Sequence, residues 1–149
     1  MGEMQLAAAA GPQGVALVAE ESVVPPPGSA AAPILIVDDH QLVAKALSSR
    51  FQKGGYQTVV FHNGTDALAY CDQHPVAAAV IDIHLPDLNG LVLSSGLRQR
   101  IGPERPIIIV SGDTSMENLN SLRHVGATHF FSKPVKSSQL LERVQELLR

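Results

Sequence analysis

The chain has 149 residues, 45% of them hydrophobic, and a formal charge of -3, which is one domain's worth of polypeptide with enough apolar material for a sizeable core. Its Lys and Arg residues are scattered after residue 44 without a basic block, which argues against a nucleic-acid surface. A lone cysteine, Cys71, excludes an internal disulfide or a cysteine zinc knuckle; no run is long and apolar enough to span a membrane, and no basic residue opens a secretory signal, so the expected location is the cytoplasm.

Residues 1–33 are rich in Ala, Pro and Gly and contain neither a basic nor an aromatic residue. Such a segment buries too little apolar surface to offset its ordering entropy, and a disordered tail is expected there. From residue 34 the sequence alternates. ILIV reads as a buried strand, and QLVAKALSSRFQK as a helix stopped by Gly54 and Gly55. QTVVF is a second strand, and TDALAYCDQH a second helix ended by Pro75. The apolar run within AAAVIDIHLPDLNG supplies the third strand, followed by LVLSSGLRQR as a third helix that closes at GPERP. IIIV is the fourth strand, with a weaker, more polar fourth helix near MENLNSLRHV. THFF is the fifth strand, and SSQLLERVQELLR the last helix, with Leu140, Leu141, Val144, Leu147 and Leu148 along one side. Five strands alternating with five helices predict an α/β fold in which right-handed crossovers place helices on both faces of a doubly wound parallel sheet.

Ligands of such sheets bind beyond the carboxyl ends of the strands, where the strand order reverses. The residues at those ends are Asp38 and Asp39 after the first strand, Asp82 at the third, Ser111 at the fourth, and Lys133 with Pro134 after the fifth. Three acids on one rim repel one another unless something cationic sits among them. Mg2+ suits them, because it takes oxygen ligands and keeps positions for water and phosphate oxygens. Zinc would call for Cys or His; of the six histidines only His40 and His84 fall near this rim, and neither belongs to a spaced pair on one helix. The residue types fit phosphoryl transfer: Asp82 can attack, Asp38 and Asp39 can hold the metal, and Ser111 and Lys133 can receive the oxygens of the moving group. Taken singly, each has a plainer role, as a helix cap, a turn residue or a solvated lysine. Their order along the chain is the signal.

With VDDH, VIDIHLPDLNG, IIIVSGD and FFSKPV in place, residues 33–149 resemble the receiver domain of two-component response regulators. The resemblance implies a flavodoxin-like strand order of 2-1-3-4-5. It implies that Asp82 accepts a phosphoryl group from a phosphohistidine on a sensor histidine kinase or a histidine phosphotransfer protein. Mg2+ would be bound by Asp39 and Asp82 directly, by Asp38 mainly through water, and by the backbone carbonyl of His84. The Lys133–Pro134 bond would be cis. Phosphorylation would draw Ser111 toward the new oxygens and let Phe130 turn inward, and partners would read the fourth helix, fifth strand and fifth helix, with a homodimer as one outcome. His84 and Asp113 occupy positions that tune loss of the phosphoryl group in this family, and Ser111 replaces the more frequent threonine.

This reading describes a switch that acts by binding, not an enzyme. An aspartate-nucleophile phosphatase would place its two acids two residues apart after the first strand, whereas Asp38 and Asp39 are adjacent. A flavin or nucleotide binder would need a phosphate-cradling loop where DDHQLV stands. A receiver-like module that works without phosphorylation stays open, as does a fragment of a longer transcriptional regulator or hybrid kinase.

Overall fold

The computed structural model describes residues 32–112 and 126–148. Its strands are β1 (Ile34–Val37), β2 (Thr58–Phe61), β3 (Ala78–Asp82), β4 (Ile107–Ser111) and β5 (His129–Ser132). Its described helices are α1 (Gln41–Lys53), α2 (Gly64–Gln73), α3 (Gly90–Ile101) and α4 (Ser137–Leu147). The expected fourth helix near residues 116–125 lies outside the described residues, so α4 is the helix expected as the fifth. All strand pairs are parallel and the order is β2-β1-β3-β4-β5.

Because successive strand residues face opposite sides of a sheet, one apolar run feeds two cores. Ile34, Ile36, Ala78, Val80, Ile108 and Val110 pack toward Ala44, Leu47 and Phe51 of α1 and Leu140 and Val144 of α4. Leu35, Val37, Ala79, Ile81, Ile107 and Ile109 pack toward Ala67 and Cys71 of α2 and Leu93 and Leu97 of α3. β1, β3 and β4 are buried throughout, which is why β1 is wholly apolar and β3 and β4 are apolar until their last residues. Ala32 and Pro33, assigned by sequence to the tail, join this unit: Ala32 is buried, and the Ala77 N–H donates to the Pro33 carbonyl.

Local chemistry sets several element ends. The side chains of Asn63 and Asn89 accept from the Asp66 and Leu91 N–H groups and so cap α2 and α3. Gly55, with φ 97°, turns the chain after α1 at an angle that a side chain resists. Cys71 is a buried apolar side chain whose thiol is pushed up to about 11, first by burial. No described helix is long and apolar enough to cross a membrane.

Candidate functional site

The reversal of strand order falls between β1 and β3, and the acids gather there. Register explains how: Val37 lies beside Ile81, so Asp38 and Asp82 emerge next to one another from strands that are otherwise apolar. On the far side Asp82 pairs with Val110, and Ser111 pairs with Ser132, which brings the hydroxyl and the β5–α4 connection to the same rim. Lys133, one residue past β5, is tied back by its own N–H to the Ser111 carbonyl at 2.8 Å. The Lys133–Pro134 bond is cis.

Asp38 and Asp82 are 5% and 3% exposed, and Ser111 is fully buried, so two carboxylates are withdrawn from water and must be met by donors or cations. Lys133 Nζ sits 3.3 Å from Asp82 Oδ2, while the His84 N–H donates to Asp82 Oδ1 at 3.2 Å. The His40 N–H donates to Asp38 Oδ1 at 2.9 Å, and His62 Nδ1 lies 2.9 Å from the Asp38 carbonyl oxygen. Asp39 is the more open of the acidic pair. One ligand atom each from Asp38, Asp39, His40 and Asp82 lies within 4.8 Å of the others. A cleft of about 540 Å³ opens beside them, bounded by Asp38, Val43, Ala46, Asp82, Lys133 and Val135, which gives the acids an approach from solvent along α1.

The loop that carries Asp82 onward is held from both ends. The Gly90 N–H donates to the Ile83 carbonyl at 2.7 Å, closing the loop on itself. In between, Asp87 accepts from the N–H groups of Gly64 and Thr65, both at 2.8 Å, and from the Thr65 hydroxyl, so the loop clamps the start of α2. These bonds, the Thr65 hydroxyl first, pull the Asp87 carboxyl down from 3.8 to about 2.

The structure thus brings together Asp38, Asp39, Asp82, Lys133 and the His84 backbone, with Ser111 on the adjoining strand. Phe130 on β5 pairs with Ile109 on β4 and packs, half-buried, against the α2/α3-side core. Asp113 lies outside the described residues. Two features escaped the sequence reading. The His40 ring meets both acids of the pair, Nδ1 lying 3.3 Å from Asp38 Oδ1 and 3.2 Å from Asp39 Oδ1, although its place directly after them was a visible hint. Asp87 sat in a Pro-Asp-Leu-Asn-Gly stretch that reads only as a turn.

The family model described as the response regulator receiver domain matches residues 34–145. The chain belongs to the response regulator receiver domain family. This receiver is 31% identical over 116 residues to the transcriptional regulatory protein PcoR of Escherichia coli, a match covering 78% of the chain and 51% of the relative. Among solved structures it is similar to a CheY-like receiver domain protein from Methanospirillum hungatei JF-1, with 30% identity, a TM-score of 0.74, and coverage of 78% of this chain and 93% of that one. It is also similar to the chemotaxis response regulator CheY4 of Vibrio cholerae, with 27% identity, a TM-score of 0.72, and coverage of 78% and 98%. The receiver spans about half the length of the first curated relatives it matches.

Proposed function

We propose that this receiver is a phosphorylation-dependent switch in which Asp82 accepts a phosphoryl group from a phosphohistidine on a sensor histidine kinase or histidine phosphotransfer protein. The observation that carries the reading is a buried carboxylate at the switch point of the sheet, with a lysine 3.3 Å away and two further acids beside it. In the transfer an Asp82 oxygen forms the new bond to phosphorus as the donor's N–P bond breaks, and the imidazole leaves with its electron pair. Lys133 and the Ser111 hydroxyl meet the equatorial oxygens, each placed by its own strand end.

The three carboxylates fit a hard divalent cation, and the His40 ring is the nitrogen donor within reach of them. Mg2+ would be held by Asp39 and Asp82, by Asp38 mainly through water, and by the His84 carbonyl. When bound, it would offset the charge of the acids and of the incoming phosphoryl oxygens. Asp38 is oriented for this by the His40 N–H and Asp82 by the His84 N–H.

The chain's own residues carry the signal outward. Ser111 and Phe130 are the switch residues of this reading: the first follows the new charge, and the second turns as β5 adjusts. The output surface is β5 and α4 together with residues 116–125, and it binds a downstream protein or a second copy of the receiver. The donor approaches along α1, where Leu42 is 83% exposed beside the acids and the cleft opens. Residues 34–149, with Ala32 and Pro33 packed onto them, form the signalling unit, and the cytoplasm is where it acts. It acts by binding rather than by turnover.

Intact mass spectrometry after incubation with Mg2+ and acetyl phosphate tests this. A single phosphoryl adduct is expected on the wild type, absent from Asp82→Asn and absent with a chelator. An adduct that survives Asp82→Asn overturns the assignment of the acceptor.

A further inference from the structure

We propose that His40 is an additional metal ligand at the acidic rim, and that its ring nitrogen gives the site a preference for Co2+, Ni2+ or Zn2+ over Mg2+. The inference rests on the reading of Asp38, Asp39 and Asp82 as a divalent-cation site and adds to it a donor of a different kind.

The His40 ring stands where a neighbouring ligand of the same ion would stand, at distances that a His–Asp hydrogen bond also has. With bonds of about 2.1 Å, adjacent corners of an octahedron lie about 3.0 Å apart and opposite corners about 4.2 Å. His40 Nδ1 lies 3.2 Å from Asp39 Oδ1, close to the first value, and 3.3 Å from Asp38 Oδ1, the acid that reaches the ion mainly through water. One ligand atom from each of Asp38, Asp39, His40 and Asp82 lies within 4.8 Å of all the others, a bound wider than the second value, so the set closes on one ion only after side-chain rotation. Small rotations of the ring and carboxylates complete the set.

The backbone makes those rotations inexpensive and keeps them local. His40 is the residue at the start of α1, in an extended conformation with φ -84° and ψ 104°, and its side chain makes no capping hydrogen bond to the helix. Its N–H is committed to Asp38 Oδ1 at 2.9 Å, which fixes where the ring begins. The ring itself is 66% exposed, so moving it disturbs no packed core. His62, the other imidazole that touches Asp38, lies 2.9 Å from its main-chain carbonyl oxygen, not its carboxylate, and so belongs to the support of the loop.

The chemical consequence follows from ligand softness. An imidazole in place of a water or carboxylate oxygen strengthens binding of the later first-row ions far more than of Mg2+, which favours an all-oxygen shell. The purified full chain should therefore bind Co2+ at the same place as Mg2+, each displacing the other. Co2+ titration followed by visible absorption, with Mg2+ competition, gives the affinity ratio, and proton NMR of the Co2+ form reports a paramagnetically shifted, exchangeable imidazole N–H. The expected result is that His40→Ala lowers the Co2+ to Mg2+ affinity ratio about tenfold or more and removes that resonance, while its thermal midpoint stays at the wild-type value. His40→Asp, which keeps a ligand but makes it oxygen, should retain binding and lose the preference. An unchanged ratio in His40→Ala, or a shifted resonance that persists in it, overturns the inference and leaves the oxygen site standing. Failure of the wild type to bind either ion overturns the cation site as well.

Discussion

Gly90 is the position where a single methyl group should reach the acceptor through its backbone, leaving its carboxylate untouched. It opens α3 eight residues after Asp82, and a Cβ built there would lie 2.5 Å from Ile83 Cα, 2.7 Å from the Asp82 carbonyl oxygen and 3.2 Å from the Ile83 carbonyl carbon. Ordinary carbon contacts are about 3.5–4.0 Å, so the overlap is about 1 Å and falls on backbone, which no rotamer change can relieve. Overpacking of this kind costs about 1–3 kcal/mol, and the rigidity of the neighbours places Gly90→Ala near the upper end. Better helix propensity returns less than about 1 kcal/mol. The net loss of about 2 kcal/mol should lower the thermal midpoint by about 6–8 °C. The strain falls on the Gly90 to Ile83 hydrogen bond and on Asp82 itself, so labelling by acetyl phosphate should slow by about tenfold to a hundredfold. Gly64→Ala meets the Leu88 side chain first and should cost less; Gly112→Ala meets nothing within 4 Å and should melt like the wild type. Thermal melts and labelling time courses on the three variants decide the matter. If Gly90→Ala melts within about 2 °C of the wild type and labels at the same rate, the close approach does not constrain the acceptor loop.

The remaining predictions concern side chains that hold or complete the site. Lys133→Ala leaves the buried Asp82 carboxylate without its cation and removes a donor to the moving group, so phosphorylation measured by mass spectrometry should slow at least about tenfold. Asp87 has its carboxyl lowered in the folded state from 3.8 to about 2, so its contribution to stability is present above about pH 4 and is lost as pH falls toward 2. Asp87→Asn should accordingly melt below the wild type at pH 7, and the gap should close in melts taken between pH 4 and 2. Arg98 donates to the carbonyls of Gly102, Arg105 and Gly126 and to the Thr128 hydroxyl, joining the end of α3 to the approach of β5. Arg98→Ala should cost about 2 kcal/mol in chemical denaturation, and Arg98→Lys, which has no planar fork, should recover less than half of it.

Much of the fold could be read from neighbouring residues. QLVAKALSSRFQK is α1 to the residue, and ILIV is β1, because helical spacing and continuous burial are written into adjacent positions. The strand ends were legible for the same reason: an acid ending an apolar run is conspicuous, and Asp38 and Asp82 are conspicuous in this way. Ala32, within the stretch that composition reads as a tail, is buried, and it is too small to mark itself as core. Composition describes such a residue less well than the surface it meets.

What the sequence determined by itself, then, is the alternation of elements, the two-sided burial of the central strands, and which residue types arrive at the strand ends. The tertiary structure alone decided which atoms meet. Asp87 reaches the first turn of α2 across 22 positions, Arg98 spans to Gly126, and Lys133 approaches Asp82 from 51 residues away. Even His40, adjacent to the acids in sequence, meets both through its ring only because its backbone is extended just before α1 begins at Gln41. Local periodicity records the face a side chain takes; the distance between two side chains depends on register, crossover and helix placement, which exist only once the sheet has assembled.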